Sequence, residues 1–301
     1  MSQVLFRYRL EFLAFRVLAW MIGVLPERAA LGMCATLGWL GGVVFRVRRS
    51  DVDRHLALAF PEQDSAWRAR IARDSYRHLA REAAMTFRLS RMDPCEVVDR
   101  TDMEGFEEFR EAVEEGAGAV VVSGHLGNWE IAGASAAARG VPMDVVAHRQ
   151  KNPMFDDYLV ETRRRLGLTV MVKNDALHLA RRSLAEGRVA AFVSDQNIRR
   201  RGIFVSFFGK TAATPKGPAM FALRSGAPVF LGTAVRLPGW PSRYRVRAER
   251  IPVRRGLPPD DAIAELTQRY TSLLEQRVRE APEQYFWQHR RWKTRPKDES
   301  S

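Results

Sequence analysis

The chain has 301 residues, enough for one large catalytic domain with an appendage or for two modest domains. Hydrophobic residues make up 46% of it, which argues against wholesale disorder and allows a sizeable core. The 48 basic side chains outnumber the 35 acidic ones and give a net charge of +13. This excess favours an anionic partner, such as nucleic acid, an acidic membrane face or an acidic carrier protein.

Two apolar runs near the N-terminus predict helices that lie in or on a membrane. The first, at residues 10–25, carries Glu11 and Arg16, whereas a helix that crosses a bilayer needs roughly 20 nearly uncharged residues. The second, at residues 29–45, is apolar throughout but short. Aromatic and arginine side chains accompany both runs, as is typical of helices at a membrane interface. We therefore predict a membrane-associated helical hairpin over residues 1–45, with an ordinary buried hairpin as the alternative.

The remainder of the chain, residues 46–301, is predicted to form one α/β domain. Strand-like and helix-like stretches alternate along it, which is typical of a mainly parallel sheet flanked by helices. The predicted strands are GAGAVVVSG, VPMDVVAHR, LTVMVK, RVAAFVSDQ and APVFLGTAVRL, and the predicted helices cover residues 67–91, 153–166, 176–186, 216–225 and 260–280. GIFVSFFG is predicted as a hydrophobic loop or short strand, and the alternating YRVRAERI as a half-exposed edge strand.

Several kinds of active site leave signatures that this sequence lacks. It has no G-x-S-x-G nucleophile elbow, Walker A loop or H-E-x-x-H zinc motif, and GAGAVV lacks the third glycine of a dinucleotide-binding fingerprint. Its histidine, cysteine and aspartate residues show no metal-ligand spacing, and Cys34 and Cys95 are predicted to be reduced packing residues. We therefore expect no metal and no cofactor. The lack of a nucleic-acid-binding motif argues against a nucleic acid partner.

The stretch VVVSGHLGNWEIAG contains the strongest candidate for a catalytic group. His125 follows a buried strand at its carboxyl end, where open α/β sheets bind ligands. Gly127 permits a tight turn, and Asn128 is suited to cap the helix that follows. A carboxylate from Glu130, in the first turn of that helix, would fix the tautomer of His125 and leave its other ring nitrogen free as a base. The alternative is a turn histidine beside a solvated glutamate.

The segment GHLGNWE resembles the H-x-x-x-x-D/E box of the glycerolipid-type acyltransferases, in the acidic form of the bacterial lipid A late acyltransferases. The resemblance continues in the family's order along nearly the whole chain. It includes LALAFPE, NPMFDDYLVETRRRLG, AAFVSDQN, GIFVSFFGKTAATPKGPAMFALRSGAPV and APEQYFWQHRRWKTRP. One departure is His55, where the family usually has asparagine. The short box alone is only moderately specific, whereas the ordered set of motifs is strongly so.

This resemblance implies that a fatty acyl chain is transferred from a thioester, usually on acyl carrier protein, to a hydroxyl of a lipid acceptor. It implies His125 as the base that takes the hydroxyl proton and Glu130 as the group that orients it. Backbone amides near Gly127 and Asn128 are candidates to bind the oxyanion. The expected location is the cytoplasmic face of a bacterial inner membrane, with acyl carrier protein, a glycolipid acceptor and an anionic membrane surface as partners.

Four charged residues are further candidates for the site. The resemblance places Arg163 and Arg165 near the active site, where they would bind phosphate or developing charge. Arg149 and Asp195 end predicted strands on one edge of the sheet. Arg149 is a candidate phosphate ligand, and Asp195 is expected to order a neighbouring arginine or backbone group. The alternative for these residues is solvated surface charge.

Other functions and other roles stay open at this stage. One alternative is a relative that acylates another glycolipid, such as a mannoside lipid, from acyl-CoA. A second is a catalytically silent protein that binds lipid at a membrane surface. The phenylalanine-rich loop at 204–209, with Ala219 and Ala222, is a candidate lining for an acyl channel, with core packing as the alternative. The basic C-terminal QHRRWKTRP is a candidate contact for anionic headgroups or an acidic carrier.

Overall fold

The computed structural model describes residues 2–116, 118–172, 176–200 and 202–296. Its strands are β1 (Thr101–Glu104), β2 (Ala119–Ser123), β3 (Met143–Ala147), β4 (Leu168–Val172), β5 (Val189–Val193), β6 (Gly202–Phe207), β7 (Lys210–Pro215), β8 (Val229–Arg236) and β9 (Tyr244–Ile251). Its helices are α1 (Ser2–Val24), α2 (Glu27–Trp39), α3 (Arg49–Ala59), α4 (Ser65–Leu89), α5 (Pro94–Asp99), α6 (Phe106–Glu114), α7 (Trp129–Ala138), α8 (Pro153–Arg165), α9 (Ala176–Ala185), α10 (Gly217–Ser225) and α11 (Pro259–Glu280).

Seven of the strands form one sheet in the order β1-β9-β8-β2-β5-β3-β4. Neighbouring strands in it are parallel except β8 and β9, which are antiparallel. Helices cover both faces of this sheet. Successive side chains of a strand point to opposite faces, so one strand contributes to the core on both sides. Val120 and Val122 of β2 lie in one core cluster, whereas Val121 packs in another with Phe109 of α6 and Ala136 of α7. The predicted α/β fold with a mainly parallel sheet is therefore confirmed.

The placement of YRVRAERI at the edge of the sheet is wrong. The segment forms β9, which pairs with β8 on one side and with β1 on the other. The predicted alternation is confirmed, because Tyr244 and Val246 are buried whereas Arg245 between them is exposed. The edge is formed by β1, whose four residues are too few for a periodic pattern to reveal.

The phenylalanine-rich segment forms a short strand, one of the two predicted forms, and its buried phenylalanines pack in the core. GIFVSFFG contributes β6, which pairs with β7 in a separate antiparallel hairpin. Phe207 is fully buried, and Phe208 is 5% exposed. Both pack in the core cluster that also contains Ala219 and Ala222. Core packing, the alternative stated for these residues, is what the structure shows.

The two N-terminal helices pack differently. α2 buries Leu31 and Cys34 in a core cluster with Ile131 of α7 and Tyr244 of β9. α1 instead leaves most of its large apolar side chains exposed. They include Val4, Leu5, Phe6, Leu10, Leu13, Val17, Leu18, Trp20, Met21 and Val24.

Within the described part of the chain, no single helix is both long and apolar enough to cross a membrane. One pair of helices, Glu27–Val44 and Arg49–Ala59, meets the requirement of length and composition only when taken together across a bend of 88°. The predicted membrane-associated hairpin is therefore not confirmed. The predicted division of the chain at residue 45 stays a prediction.

Candidate active site

The register of two adjacent parallel strands brings His125 and Asp195 together. Ser123 at the end of β2 lies opposite Val193 at the end of β5, and each polar side chain follows two residues later. The Nδ1 atom of His125 lies 2.6 Å from Oδ1 of Asp195. The backbone N–H of His125 donates a hydrogen bond to Oδ2 of the same carboxylate at 2.8 Å. Asp195 therefore holds both the ring and the main chain of His125.

The structure does not pair His125 with Glu130, contrary to the prediction. Glu130 lies in the first turn of α7 and accepts two hydrogen bonds from Arg163 of α8, from Nε at 2.9 Å and from Nη2 at 2.5 Å. The strand next to β2 supplies a carboxylate that reaches Nδ1 directly, so Asp195 takes the place foreseen for Glu130. A catalytic role for Glu130 stays a prediction. Because Glu130 contacts Arg163 and not His125, such a role would act through Arg163.

The hydrogen bonds of His125 define which ring nitrogen is available as a base. With Nδ1–H donating to the Asp195 carboxylate, Nε2 carries the lone pair and lies 3.1 Å from the side-chain nitrogen of Gln196. The rings of Trp129 and Phe286 pack against the imidazole, with centroids 4.6 and 5.8 Å away. The side chain is 15% exposed, which leaves access for a substrate hydroxyl.

Asp195 is held in its ionised form. Its side chain is 4% exposed, and this burial alone would raise the pKa of the carboxyl. The positive charge of the protonated form of His125 and hydrogen bonds from its ring and main chain outweigh burial and lower the pKa of Asp195 to about 2. The buried guanidinium of Arg291 acts in the same direction. An ionised carboxylate at this position stabilises an imidazolium ion that forms at His125.

Gly127 and Asn128 shape the turn, but their amides do not face a substrate. Gly127 has φ of +63°, and a Cβ there would lie 1.8 Å from the carbonyl oxygen of Ala234. Its N–H donates to the carbonyl of Gln284 at 2.9 Å, and the N–H of Asn128 donates to that of Ala234 at 2.9 Å. The predicted oxyanion role of these two amides is therefore contradicted. The predicted helix cap is confirmed, because Asn128 accepts a bond from the N–H of Ile131 at 3.1 Å.

Of the three predicted arginines, Arg163 alone lies at this site. Its side chain is 17% exposed and lines the same cavity as His125. Arg165 is 67% exposed and pairs with Glu161 at 3.0 Å on the same helix. Arg149 is exposed after β3 and does not line the cavity. Solvated surface charge is therefore the better description of Arg149 and Arg165.

The C-terminal segment builds the site, a role that the sequence did not reveal. The N–H of Phe286 donates to the carbonyl of His125 at 3.0 Å. Arg291 is 2% exposed and donates to the carbonyl of Ala213 at 2.7 Å, so this part of the basic segment lies inside the protein. The neighbouring Arg290 pairs with Asp51 at 2.7 Å. The sequence analysis also did not identify Gln196 as a site residue. The signal available for it was its position directly after Asp195, at the end of the predicted strand RVAAFVSDQ.

A cavity of about 430 Å³ extends from His125 along one face of the sheet. Ligand pockets typically measure about 300–1,000 Å³. Val121, Ser123 and His125 all line it, as expected for alternate residues of one strand. Its mouth is polar and includes Glu130, Arg163 and Gln196. Its other walls are mostly apolar and include Met103, Phe109, Ala136, Met143 and Phe230, with Arg247 of β9 among them. Among the described residues, no group of histidine, cysteine and acidic side chains is placed to hold a metal ion.

Comparison with known proteins places this geometry in context. A family model described as bacterial lipid A biosynthesis acyltransferase matches residues 3–294. The chain is 28% identical over 299 residues to the lipid A biosynthesis palmitoleoyltransferase of Escherichia coli (strain K12), which covers 98% of this chain and 94% of that protein. It is 27% identical over 293 residues to the lipid A biosynthesis lauroyltransferase of the same strain, covering 96% and 93%. It is also 31% identical over 171 residues to a phosphatidylinositol mannoside acyltransferase of Mycolicibacterium smegmatis, covering 56% and 55%.

Proposed function

The chain belongs to the bacterial lipid A biosynthesis acyltransferase family and is therefore an O-acyltransferase, and we propose that it transfers a fatty acyl chain from acyl carrier protein to a hydroxyl of a lipid A precursor or a related glycolipid. The observation that carries this proposal is the cavity at His125. It joins an apolar space, suited to an alkyl chain, to a polar part lined by His125, whose ring is paired with the buried Asp195 behind it. A fatty thioester would thus place its carbonyl carbon beside a base.

The proposed reaction needs no nucleophile from the protein. The acceptor hydroxyl passes its proton to Nε2 of His125 while its oxygen attacks the thioester carbonyl carbon. The imidazolium that forms is stabilised by the ionised Asp195. The tetrahedral intermediate collapses, the carbon–sulfur bond breaks, and the departing thiolate takes the proton back from His125. Arg163 is the donor at the mouth that we assign to the developing oxyanion, and the side-chain amide of Gln196, which lies 3.1 Å from Nε2, gives way to the acceptor hydroxyl.

The acyl donor is proposed from charge. A net charge of +13 favours an acidic partner, and acyl carrier protein fits this requirement. Acyl-CoA, whose phosphates are also anionic, is the alternative donor. A mannoside-type glycolipid is the alternative acceptor, since one relative is named a phosphatidylinositol mannoside acyltransferase.

We also propose that the protein works at the cytoplasmic face of a bacterial inner membrane, where α1 contacts the lipid. Replacing the exposed Leu10, Leu13 and Val17 together by glutamine is expected to weaken binding to anionic vesicles by about 100-fold or more, because apolar area no longer leaves water. Phe204→Gln, at an exposed position on β6, is the matched control. Vesicle sedimentation measures both, and equal binding by the two variants would place the membrane contact elsewhere.

The apolar part of the cavity is expected to set the preferred length of the acyl chain. Ala136 of α7 lines it, so Ala136→Leu fills space that the end of the chain would occupy. We expect the preference to move to shorter chains, with discrimination of about 10-fold per methylene. Rates with donors of graded chain length measure this shift. Ala138→Leu lies on the same helix outside the cavity, and an identical shift in that variant would contradict the assignment.

The proposed function is tested by mass spectrometry of lipid extracts from cells with and without the protein. We expect one glycolipid to gain a single acyl group when the wild-type protein is present and not when the His125→Ala variant replaces it. That product would also name the acceptor and the chain length. Acylation that persists with His125→Ala would contradict the mechanism. A lack of any change in glycolipids would contradict the proposed acceptor class.

A further inference from the structure

A second cavity of about 620 Å³ lies near the catalytic turn and shares no lining residue with the acyl cavity. It is bounded by α4, by the end of β8 and its following loop, and by residues 280–284. Three arginines line it, Arg77 and Arg81 from α4 and Arg236 from β8. The exposed Trp240 stands at its wall, with the guanidinium carbon of Arg236 5.0 Å from the ring centroid. The proposed mechanism makes no use of this cavity.

Three polar atoms in its walls are buried without a hydrogen-bond partner in the described part of the chain. They are Nε of Arg81, Nη1 of Arg236 and Nε2 of His78. The side chains of Arg236 and His78 are each 11% exposed. Buried donors are almost always paired, and leaving one unpaired is costly. Arg81 and Arg236 both line the cavity, and a ligand with several acceptor oxygens fits guanidinium groups placed in this way.

The charge in this cavity also favours an anion. Burial lowers the pKa of Arg81, and the nearby charges of Arg236 and Arg77 lower it further, so the cations repel one another. Asp74 partly compensates by pairing with Arg77 at 3.2 Å. Glu82 lies 3.9 Å from Nη1 of Arg236, beyond hydrogen-bond distance.

Two carboxylates partly offset these charges: Glu82 forms an ion pair with Arg236 at 3.9 Å, and the charges of Glu82 and Asp74 raise the pKa of Arg81 against the larger lowering effects. Oε2 of Glu82 accepts hydrogen bonds from Asn128 at 2.9 Å and Tyr244 at 2.8 Å, which fix this group beneath the cavity. Glu280 is paired with arginines that lie outside the cavity lining, Arg247 and Arg277. Glu283 also lines the cavity and opposes an anion there.

The cavity is joined structurally to the catalytic turn. The side chain of Gln284 accepts from the N–H of Arg236 at 2.9 Å and donates to its carbonyl at 3.0 Å. The carbonyl of Gln284 in turn accepts from the N–H of Gly127 at 2.9 Å. A groove of about 220 Å³ lies between the two sites and is lined by both His78 and His125. The groove therefore connects the lining of this cavity to the base.

We propose that Arg81 and Arg236, with His78 beside them, bind a phosphate group carried by one of the two substrates. This inference deepens the proposed function and rests on it for the identity of those substrates. Guanidinium groups bind phosphate oxygens through charge-assisted hydrogen bonds, and the side chains of both arginines line the cavity. The phosphate belongs either to the glycolipid acceptor or to the pantetheine-bearing donor, and kinetics separate these sources.

Binding of inorganic phosphate tests the site without any catalysis. We expect phosphate to raise the melting temperature of the wild-type protein more than chloride of equal ionic strength does. Arg81→Gln is expected to lose this protection, whereas Arg73→Gln, at an exposed position on the same helix, keeps it. Glu283→Gln is expected to increase the protection, because it removes the opposing charge. Equal protection of Arg81→Gln and Arg73→Gln would overturn the proposal, since general salt effects act on both alike.

Acyl-transfer kinetics then identify the source of the phosphate. If it belongs to the acceptor, Arg81→Gln raises KM for a phosphorylated glycolipid about 10-fold and leaves KM for its dephosphorylated form unchanged. If it belongs to the donor, KM rises for acyl carrier protein or acyl-CoA but not for an acyl thioester of N-acetylcysteamine. Unchanged KM values for both forms of the glycolipid and for all of these donors would overturn the proposal. Phosphate protection without any acyl transfer by the wild-type protein would instead overturn the proposed function and leave the site standing.

Discussion

His125→Ala is expected to lower the rate of acyl transfer by about 10³-fold, within the range that a general base contributes. The variant loses the Nε2 lone pair and with it the group that takes the hydroxyl proton. It should still fold, because the site is partly open and His125 is 15% exposed. The rate of formation of acylated glycolipid, measured with saturating donor, gives the effect, and circular dichroism checks the fold.

His178→Ala is the matched control for this variant. His178 is an exposed histidine on α9 and is not among the residues that line the acyl cavity. It should transfer acyl groups at the wild-type rate. A His125→Ala protein that folds and retains a rate within a few-fold of wild type would exclude His125 as the base.

Asp195→Asn is expected to lower kcat by about 10²-fold, because the neutral amide no longer stabilises the imidazolium at His125. Glu130→Gln acts elsewhere: it leaves Arg163 without its carboxylate partner in a site where both side chains are under 20% exposed. Glu130→Gln, Arg163→Gln and the double variant should therefore lower kcat by similar factors, since the two residues work as one unit.

Combining Asp195→Asn with Glu130→Gln distinguishes the two carboxylates. The structure places them in separate hydrogen-bonded pairs, so their effects on kcat should multiply. A double variant no slower than Asp195→Asn alone would mean that both carboxylates act through His125, as the sequence first suggested. Arg149→Gln, at an exposed position outside the cavity, is the control and should leave kcat unchanged.

The fold was predictable where a local pattern was strong. Runs such as GAGAVVVSG and RVAAFVSDQ read as buried strands because almost every side chain is apolar, and both lie inside the sheet. The interior position of β9 was not predictable from its alternating pattern, because the pattern shows which face of a strand is buried and not that the distant β1 pairs with it. The packing of α1 and α2 was similarly hidden, since apolar composition alone does not show what a helix packs against.

The sequence identified several residues of the candidate site but not which of them are hydrogen-bonded to each other. His125, Glu130, Arg163 and Asp195 were all identified, yet the partner of the histidine was misassigned. Asp195 lies 70 residues from His125, and the two meet because β2 lies beside β5 rather than beside β3, the next strand in the sequence. Spacing along the chain favoured Glu130, five residues away. Strand order, which the sequence does not show directly, decided the actual pairing.

The most direct test of acyl transfer uses the purified protein with an acyl carrier thioester and a phosphorylated glycolipid. Free thiol and acylated glycolipid are measured together in the same reaction, by a thiol reagent and by mass spectrometry. We expect one acylated glycolipid for each thiol released by the wild-type protein and neither product with His125→Ala. Thiol release with no acylated glycolipid, or acylation that does not need His125, would contradict the proposed function.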